Sequence, residues 1–190
     1  MSAAASRYAT ATAAGSSHYA RRAQHAAVET PWDQPDHPLT QLSQRIYDYA
    51  NHVLGLNLHP AGQEMLTAIR YTVILDRYMP HCDAKGACLS DKTHVHGERV
   101  ATMILYCQVP KRGGATNFQR LDIKVAPKLH QAIFFSYLQP TTLRMDAGMT
   151  QHSGCPVLEG EKVIVTQWLR LGVSQEWDFT KVTAKEDACP

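Results

Sequence analysis

Apolar positions recur at spacings of three and four through Leu39, Leu42, Ile46, Tyr49 and Val53, and Gly55 stands where a C-terminal cap belongs. The spacing predicts a helix over about 39–54 with one buried face. From Leu66 onward the texture changes to short β-rich runs, at roughly 66–75, 99–109, 121–126, 131–138 and 162–171. Gly113-Gly114 and Gly154 are among the breaks between them. No internal repeat is present. One helix followed by many short strands predicts an α+β, mainly β domain built on a sandwich or barrel.

The first 28 residues read differently. They are rich in Ala, Ser and Thr and carry Arg7, Arg21 and Arg22, with no acid before Glu29. Such a segment buries little apolar surface, so a disordered or loosely helical start is expected. The same composition fits a transit peptide, but without a defined amphipathic face. No basic region followed by an apolar one marks a secretory signal. Pro31, Pro35 and Pro38 punctuate a linker. The expected organisation is a poorly structured segment over 1–37, one domain over 38–180 and a tail over 181–190.

Composition narrows the function classes. The chain has 190 residues, 44% of them apolar and 19% charged, which suits one globular domain with a real core. A net charge of +2 argues against a strongly basic nucleic-acid surface. The longest apolar runs, Val100–Cys107 and Ala132–Leu138, have the length of buried strands, not of membrane spans. Five widely spaced cysteines without a CxxC pair argue against a zinc ribbon or a thioredoxin-type site, and leave room for one or two disulfides.

Two groups of residues could hold a metal. In His81-Cys82-Asp83, positions i and i+2 of a strand bring imidazole and carboxylate to one face. With a distant His they would form the two-His-one-carboxylate triad of non-heme iron oxygenases, though HxD alone is a weak signal. A rival lies at His94, His96 and Glu98, which would share a face if the segment were a strand. Lys92, Thr93 and Gly97 make it read as a polar loop instead. His18, His25, His52, His59 and His130 have no partner at ligand spacing.

The C-terminal half also forms one ordered pattern. It runs Tyr78-x-x-His81-x-Asp83, Arg99-Val-Ala-Thr102-x-x-x-Tyr106 and Gly113-Gly114-Ala115-Thr116-x-Phe118, then His152-Ser-Gly-Cys155-Pro156-Val157-x-x-Gly160-x-Lys162 and Thr166-x-Trp168. This resembles the catalytic domain of the prolyl 4-hydroxylase family of Fe(II)/2-oxoglutarate dioxygenases, over roughly residues 38–172. The resemblance implies a double-stranded β-helix (jelly roll) with the N-terminal helix packed on one sheet. It implies that His81, Asp83 and His152 ligate Fe(II), and that Lys162 and Thr116 bind the far carboxylate of 2-oxoglutarate. It places Arg99 and Trp168 on the substrate side, as catalytic residues.

Two departures from the family pattern stand out. Ala115 replaces the acid of the usual Gly-Gly-Glu-Thr. The family's cosubstrate-binding tyrosine lies nine residues before the first ligand His, whereas Tyr71 lies ten before His81, and Leu75 replaces the glycine between them. A one-residue bulge would return Tyr71 to the site.

The activity implied is hydroxylation of a prolyl residue in a peptide or protein, with O2 as oxidant, succinate and CO2 released, and ascorbate as reductant. Family members of this type often act in the endoplasmic reticulum; the residues themselves carry no address, so the cytoplasm is the other expectation. Two alternatives stay open: the same chemistry on a small molecule or another side chain, and a non-catalytic metal- or peptide-binding domain. Nucleic acid is not an expected partner. No pattern identifies the peptide motif, the oligomeric state or a partner subunit.

Overall fold

The structure is a computed structural model that describes residues 23–72, 76–84 and 91–174. In chain order, β1 (Gln24–Val28) precedes α1 (Pro38–Leu54), β2 (Leu66–Tyr71), β3 (Tyr78–His81) and β4 (Arg99–Gln108). Short strands β5 (Arg112–Gly113), β6 (Thr116–Phe118) and β7 (Ile123–Val125) lead to β8 (Ala132–Ser136). The chain closes with β9 (Leu138–Gln139), β10 (Arg144–Met145), β11 (His152–Gly154), β12 (Val157–Glu159) and β13 (Lys162–Arg170).

Two antiparallel sheets dominate. The larger has the order β1-β2-β13-β4-β8 and the smaller β3-β11-β6-β7. Two-stranded ribbons β9–β10 and β5–β12 join them at the ends. This is the expected jelly-roll arrangement: β13 is paired with both β2 and β4, although its neighbours lie far away in sequence. Its burial follows from that place. Leu169 is fully buried, and Lys162, Ile164, Thr166, Gln167 and Arg170 are nearly so.

Helix α1 matches its predicted span. His37 Nδ1 accepts from the Leu39 amide at the N-cap, Pro38 opens the first turn, and Gly55 takes φ 63° at the other end. Ile46, Tyr47, Ala50 and Leu54 join the core that also contains Leu66 and Ile69, and Tyr49 meets Phe134 of β8 edge-on at 5.4 Å. Burial of each large side chain contributes roughly 1.5–3 kcal/mol.

The N-terminal expectation needs correcting. Residues 24–28 are a strand, not a disordered or helical stretch. β1 pairs with β2 over five residues, and its register puts Ala26 opposite Ala68 and Val28 opposite Leu66. A sequence such as QHAAV lacks β-branched density; an edge ladder supplied by β2 overrides that weak local preference. The remaining boundary expectations, over 1–22 and 175–190, lie outside the described residues. No described helix is long and apolar enough to cross a membrane.

Candidate active site

The smaller sheet delivers one half of the site. His81 ends β3, and its cross-strand partner in β11 is His152. Asp83 lies in a bend just past the strand. The ligand atoms of these three residues fall within 4.8 Å of one another, and they are the only such His/Cys/Asp/Glu group among the described residues. His81 Nε2 lies 3.5 Å from Asp83 Oδ1, and His152 Nε2 3.8 Å from Asp83 Oδ2.

Each imidazole is turned by the same device. His81 Nδ1 lies 2.8 Å from the Met79 carbonyl, and His152 Nδ1 3.1 Å from the Thr150 carbonyl. A carbonyl partner holds a proton on Nδ1, so Nε2 is the nitrogen each neutral ring has left to ligate a metal. Tyr78 stacks on His81 with ring centres 3.6 Å apart, while Phe118 and Phe135 flank His152 at 5.5 and 4.9 Å. The donor set therefore suits a divalent transition metal with positions left open.

Electrostatics agree. Burial alone would raise the Asp83 carboxyl. The His81 hydrogen bond, the two imidazoles and the Thr102 hydroxyl outweigh it and hold the group well below the usual carboxylate range. Burial pushes His152 below its ordinary value, which favours the neutral, ligating form. Thr102 Oγ1 donates to Asp83 Oδ2 at 2.6 Å. That contact had a faint signal in the sequence: Thr102 is the one aliphatic hydroxyl inside the apolar run Val100–Cys107.

The larger sheet delivers the other half. Inward positions of β2, β4 and β13 line the cavity floor, among them Tyr71, Thr102, Lys162 and Trp168. Lys162 is 1% exposed, yet has no acidic partner among the described residues. Burial pushes its ammonium down to about 8, with the nearby Cys155 acting in the opposite sense. Its Nζ lies 5.0 Å from the Tyr71 ring and 5.5 Å from the Tyr106 ring. Tyr106 Oη and Thr116 Oγ1 are 2.6 Å apart beside it. A cation buried this deeply, with no counter-ion among the described residues and the Tyr106–Thr116 hydroxyl pair lining the same region, suits an anionic ligand.

Two glycines make room for that lysine. Gly114 has φ 70°, and a Cβ there would come within 2.8 Å of Pro110 Cγ and 3.3 Å of Lys162 Cδ. Gly113 has φ 85°, and its Cβ would sit 2.3 Å from the Pro156 carbonyl. The turn next to Thr116 is thus closed to side chains at both positions.

The expected residues fare differently. His81, Asp83, His152, Lys162, Thr116, Tyr71 and Trp168 all line one cavity. Tyr71 reaches it as the ladder partner of Lys162, even though its spacing to His81 is one residue long. Residues 73–75, where the extra residue would be absorbed, lie outside the described ones. Arg99 does not line the cavity; its guanidinium lies over Trp168 at 4.1 Å and is engaged by Glu64 and by the Asp83 carbonyl. The indole N–H of Trp168 is buried without an acceptor among the described residues.

The rival cluster does not form. Glu98 is paired with Lys92 and accepts from the Val95 amide, and the His96 ring packs where a Cβ on Gly172 would fall. Of the cysteines, Cys82 is disulfide-bonded, while Cys107 and Cys155 are free thiols.

The family model of the 2OG-Fe(II) oxygenase superfamily matches residues 66–170. The chain is 33% identical over 157 residues to the prolyl 4-hydroxylase subunit alpha-2 of Caenorhabditis elegans, covering 80% of this chain and 26% of that protein. It is 32% identical over 138 residues to the human prolyl 4-hydroxylase subunit alpha-3, covering 72% and 24%. The chain therefore spans about a quarter of the length of these relatives. Among solved structures, the viral collagen prolyl hydroxylase of Paramecium Bursaria Chlorella virus-1, in its 2OG complex, superposes with a TM-score of 0.65 at 26% identity, over 80% of each chain. A Pseudomonas putida prolyl-4-hydroxylase shares the fold, with a TM-score of 0.56 at 17% identity, covering 81% of this chain and 74% of that one.

Proposed function

The chain belongs to the 2OG-Fe(II) oxygenase superfamily, and we propose that it hydroxylates prolyl residues in a peptide or protein, consuming 2-oxoglutarate and O2 and releasing succinate and CO2. One observation carries the reading. The His81–Asp83–His152 triad and the ammonium of Lys162, which has no acidic partner among the described residues, line the same cavity from opposite sheets. A ligand with a chelating oxoacid at one end and a carboxylate at the other satisfies both.

His81, Asp83 and His152 would hold Fe(II), which would supply the oxygen activation and the C–H oxidation, with ascorbate to keep it reduced. The rest is the work of this chain. Lys162 neutralises the far carboxylate of 2-oxoglutarate, with the Thr116 and Tyr106 hydroxyls as hydrogen-bonding neighbours and Tyr71 as an aromatic wall. Thr102 orients the Asp83 carboxylate. Trp168 lines the same cavity and carries a buried N–H that has no acceptor among the described residues.

A polypeptide acceptor is supported by the relatives, a prolyl 4-hydroxylase subunit and a collagen prolyl hydroxylase among them, and the net charge of +2 gives nucleic acid no particular attraction. A disulfide at Cys82 is the chemistry of an oxidising compartment, which favours the endoplasmic reticulum over the cytoplasm.

The test is direct. The chain with Fe(II), 2-oxoglutarate and ascorbate is incubated with proline-rich peptides, and both peptide mass and succinate are measured. Gain of one oxygen on proline, matched by succinate, is expected. Succinate formed equally without peptide, or with a non-peptide acceptor, would redirect the reading to another substrate. Metal binding with no turnover on any acceptor would make the chain a binding module.

A further inference from the structure

We propose that Glu64 and Arg99 are positioning residues that fix the backbone of Asp83, and through it the geometry of the metal ligands. The inference rests on the assignment of His81, Asp83 and His152 as metal ligands. It gives Arg99 a place other than contact with substrate.

The need for such a device comes from where Asp83 sits. β3 ends at His81, so among the described residues no ladder bond holds the residue that brings the only negative charge to the triad. Two side chains take over. Thr102 fixes the carboxylate, and Arg99 Nη1 donates to the backbone carbonyl of Asp83 at 3.0 Å.

Arg99 can hold that carbonyl because its own plane is fixed. Nε donates to Glu64 Oε1 at 2.6 Å and Nη2 to Glu64 Oε2 at 2.5 Å, a two-point fork that sets the direction of the third nitrogen. The indole of Trp168 packs against the guanidinium face at 4.1 Å. Glu64 is anchored in turn. Arg170 Nε donates to its Oε1 at 2.7 Å, and the Gln167 side chain donates to its backbone carbonyl at 2.9 Å. The Glu64 and Arg170 side chains are only 10% and 6% exposed, so water does not compete effectively for these bonds. The path from β13 to the metal ligand is therefore Arg170 to Glu64 to Arg99 to Asp83, each step a charge-assisted hydrogen bond.

Arg99→Lys isolates the idea. It keeps the positive charge beside Glu64, but a compact ammonium lacks the planar fork that holds Glu64 and the Asp83 carbonyl together. The probe is Co(II) bound to the otherwise intact chain, with its dissociation followed by the visible absorption of the metal. Dissociation from Arg99→Lys is expected to be about 10- to 100-fold faster than from wild type, the range typical for loss of a group that orients a metal ligand. The KM for 2-oxoglutarate should stay within about twofold while kcat falls, because Lys162 is untouched. Glu64→Asp, which keeps the charge and withdraws the fork by one methylene, should shift Co(II) release in the same direction. It serves as the second variant if Arg99→Lys proves unstable in thermal unfolding. Folded variants that release Co(II) like wild type would overturn the proposal. A rise in the peptide KM with Co(II) release unchanged would also overturn it, and return Arg99 to the substrate. A wild-type chain that binds no Co(II) would instead remove the metal-site reading on which the inference stands.

Discussion

Lys162 and Tyr71 are cross-strand partners at one end of the β2–β13 ladder, with the ammonium 5.0 Å from the tyrosine ring centre. Pairing them there keeps the cation dry and walls it with an aromatic face. Among the described residues no carboxylate pairs with it, which leaves the place to the carboxylate of a ligand. Four predictions follow the site from this lysine to the metal.

Lys162→Ala should raise the KM for 2-oxoglutarate by roughly two to three and a half orders of magnitude and leave metal binding nearly intact. Leaving a buried carboxylate unpaired costs roughly 3–5 kcal/mol, at about 1.4 kcal/mol per factor of ten. Lys162→Arg should recover part of the loss, since the planar fork does not fit the space of an ammonium. Lys111→Ala is the control: that side chain is 80% exposed and pairs with the exposed Glu159, 3.6 Å away. Titration of 2-oxoglutarate against the three variants measures the effect. An unchanged KM in Lys162→Ala would remove the cosubstrate assignment.

The same lysine sets a pH dependence with opposite signs for stability and binding. Its ammonium is depressed to about 8 in the fold, against an ordinary 10.5. Between those values the unfolded chain binds the extra proton, so the ligand-free protein should gain stability as pH rises from about 8. Below about 8 both states are protonated and the burial penalty is constant. Binding of 2-oxoglutarate needs the charged form, so its affinity should fall over the same range. Thermal unfolding and ligand titration at several pH values, each compared with Lys162→Met, check both trends. Parallel trends in wild type and Lys162→Met would exclude this lysine as their source.

At the metal, His81→Ala, Asp83→Ala and His152→Ala should each abolish turnover, because each removes one of three protein ligands. His94→Ala and His96→Ala should retain it, since the Lys92–Glu98 pair and the packing on Gly172 leave that loop without a ligand set. Turnover assays on the five variants suffice. Activity in Asp83→Ala together with loss in His94→Ala would place the metal in the loop instead.

Gly114→Ala should weaken both the fold and cosubstrate binding. A methyl at φ 70° would press on Pro110 at 2.8 Å and on the Lys162 stem at 3.3 Å. Left-handed strain at a non-glycine residue costs on the order of 1–3 kcal/mol. A lower melting temperature with a raised KM for 2-oxoglutarate is expected. A lower melting temperature with an unchanged KM would show that the turn does not set the reach of Lys162.

The residues alone carry the helix, because a 17-residue amphipathic stripe with proline at one end and glycine at the other is a long local signal. They carry the long strands of the larger sheet for the same reason. The strands that bear the metal ligands are only three and four residues long, and no periodicity survives at that length. The ligand set was readable from a family pattern of residue types in order, and the cysteine count left the Cys82 disulfide open. Other features depend on tertiary neighbours. Strand β1 exists because β2 offers it an edge, against its own alanine-rich preference. Tyr71 enters the site because its ladder register with Lys162, rather than its distance in sequence from His81, fixes which way it faces. Arg99 is the plainest case. A basic residue at a strand start reads equally as a surface charge or a substrate contact, and only the fold brings Glu64 and the Asp83 carbonyl within reach of its guanidinium, from 35 and 16 residues away. Local pattern encodes which backbone bonds a segment prefers; charge partners across the fold are chosen by sheet register and closure, which no short window of residues contains.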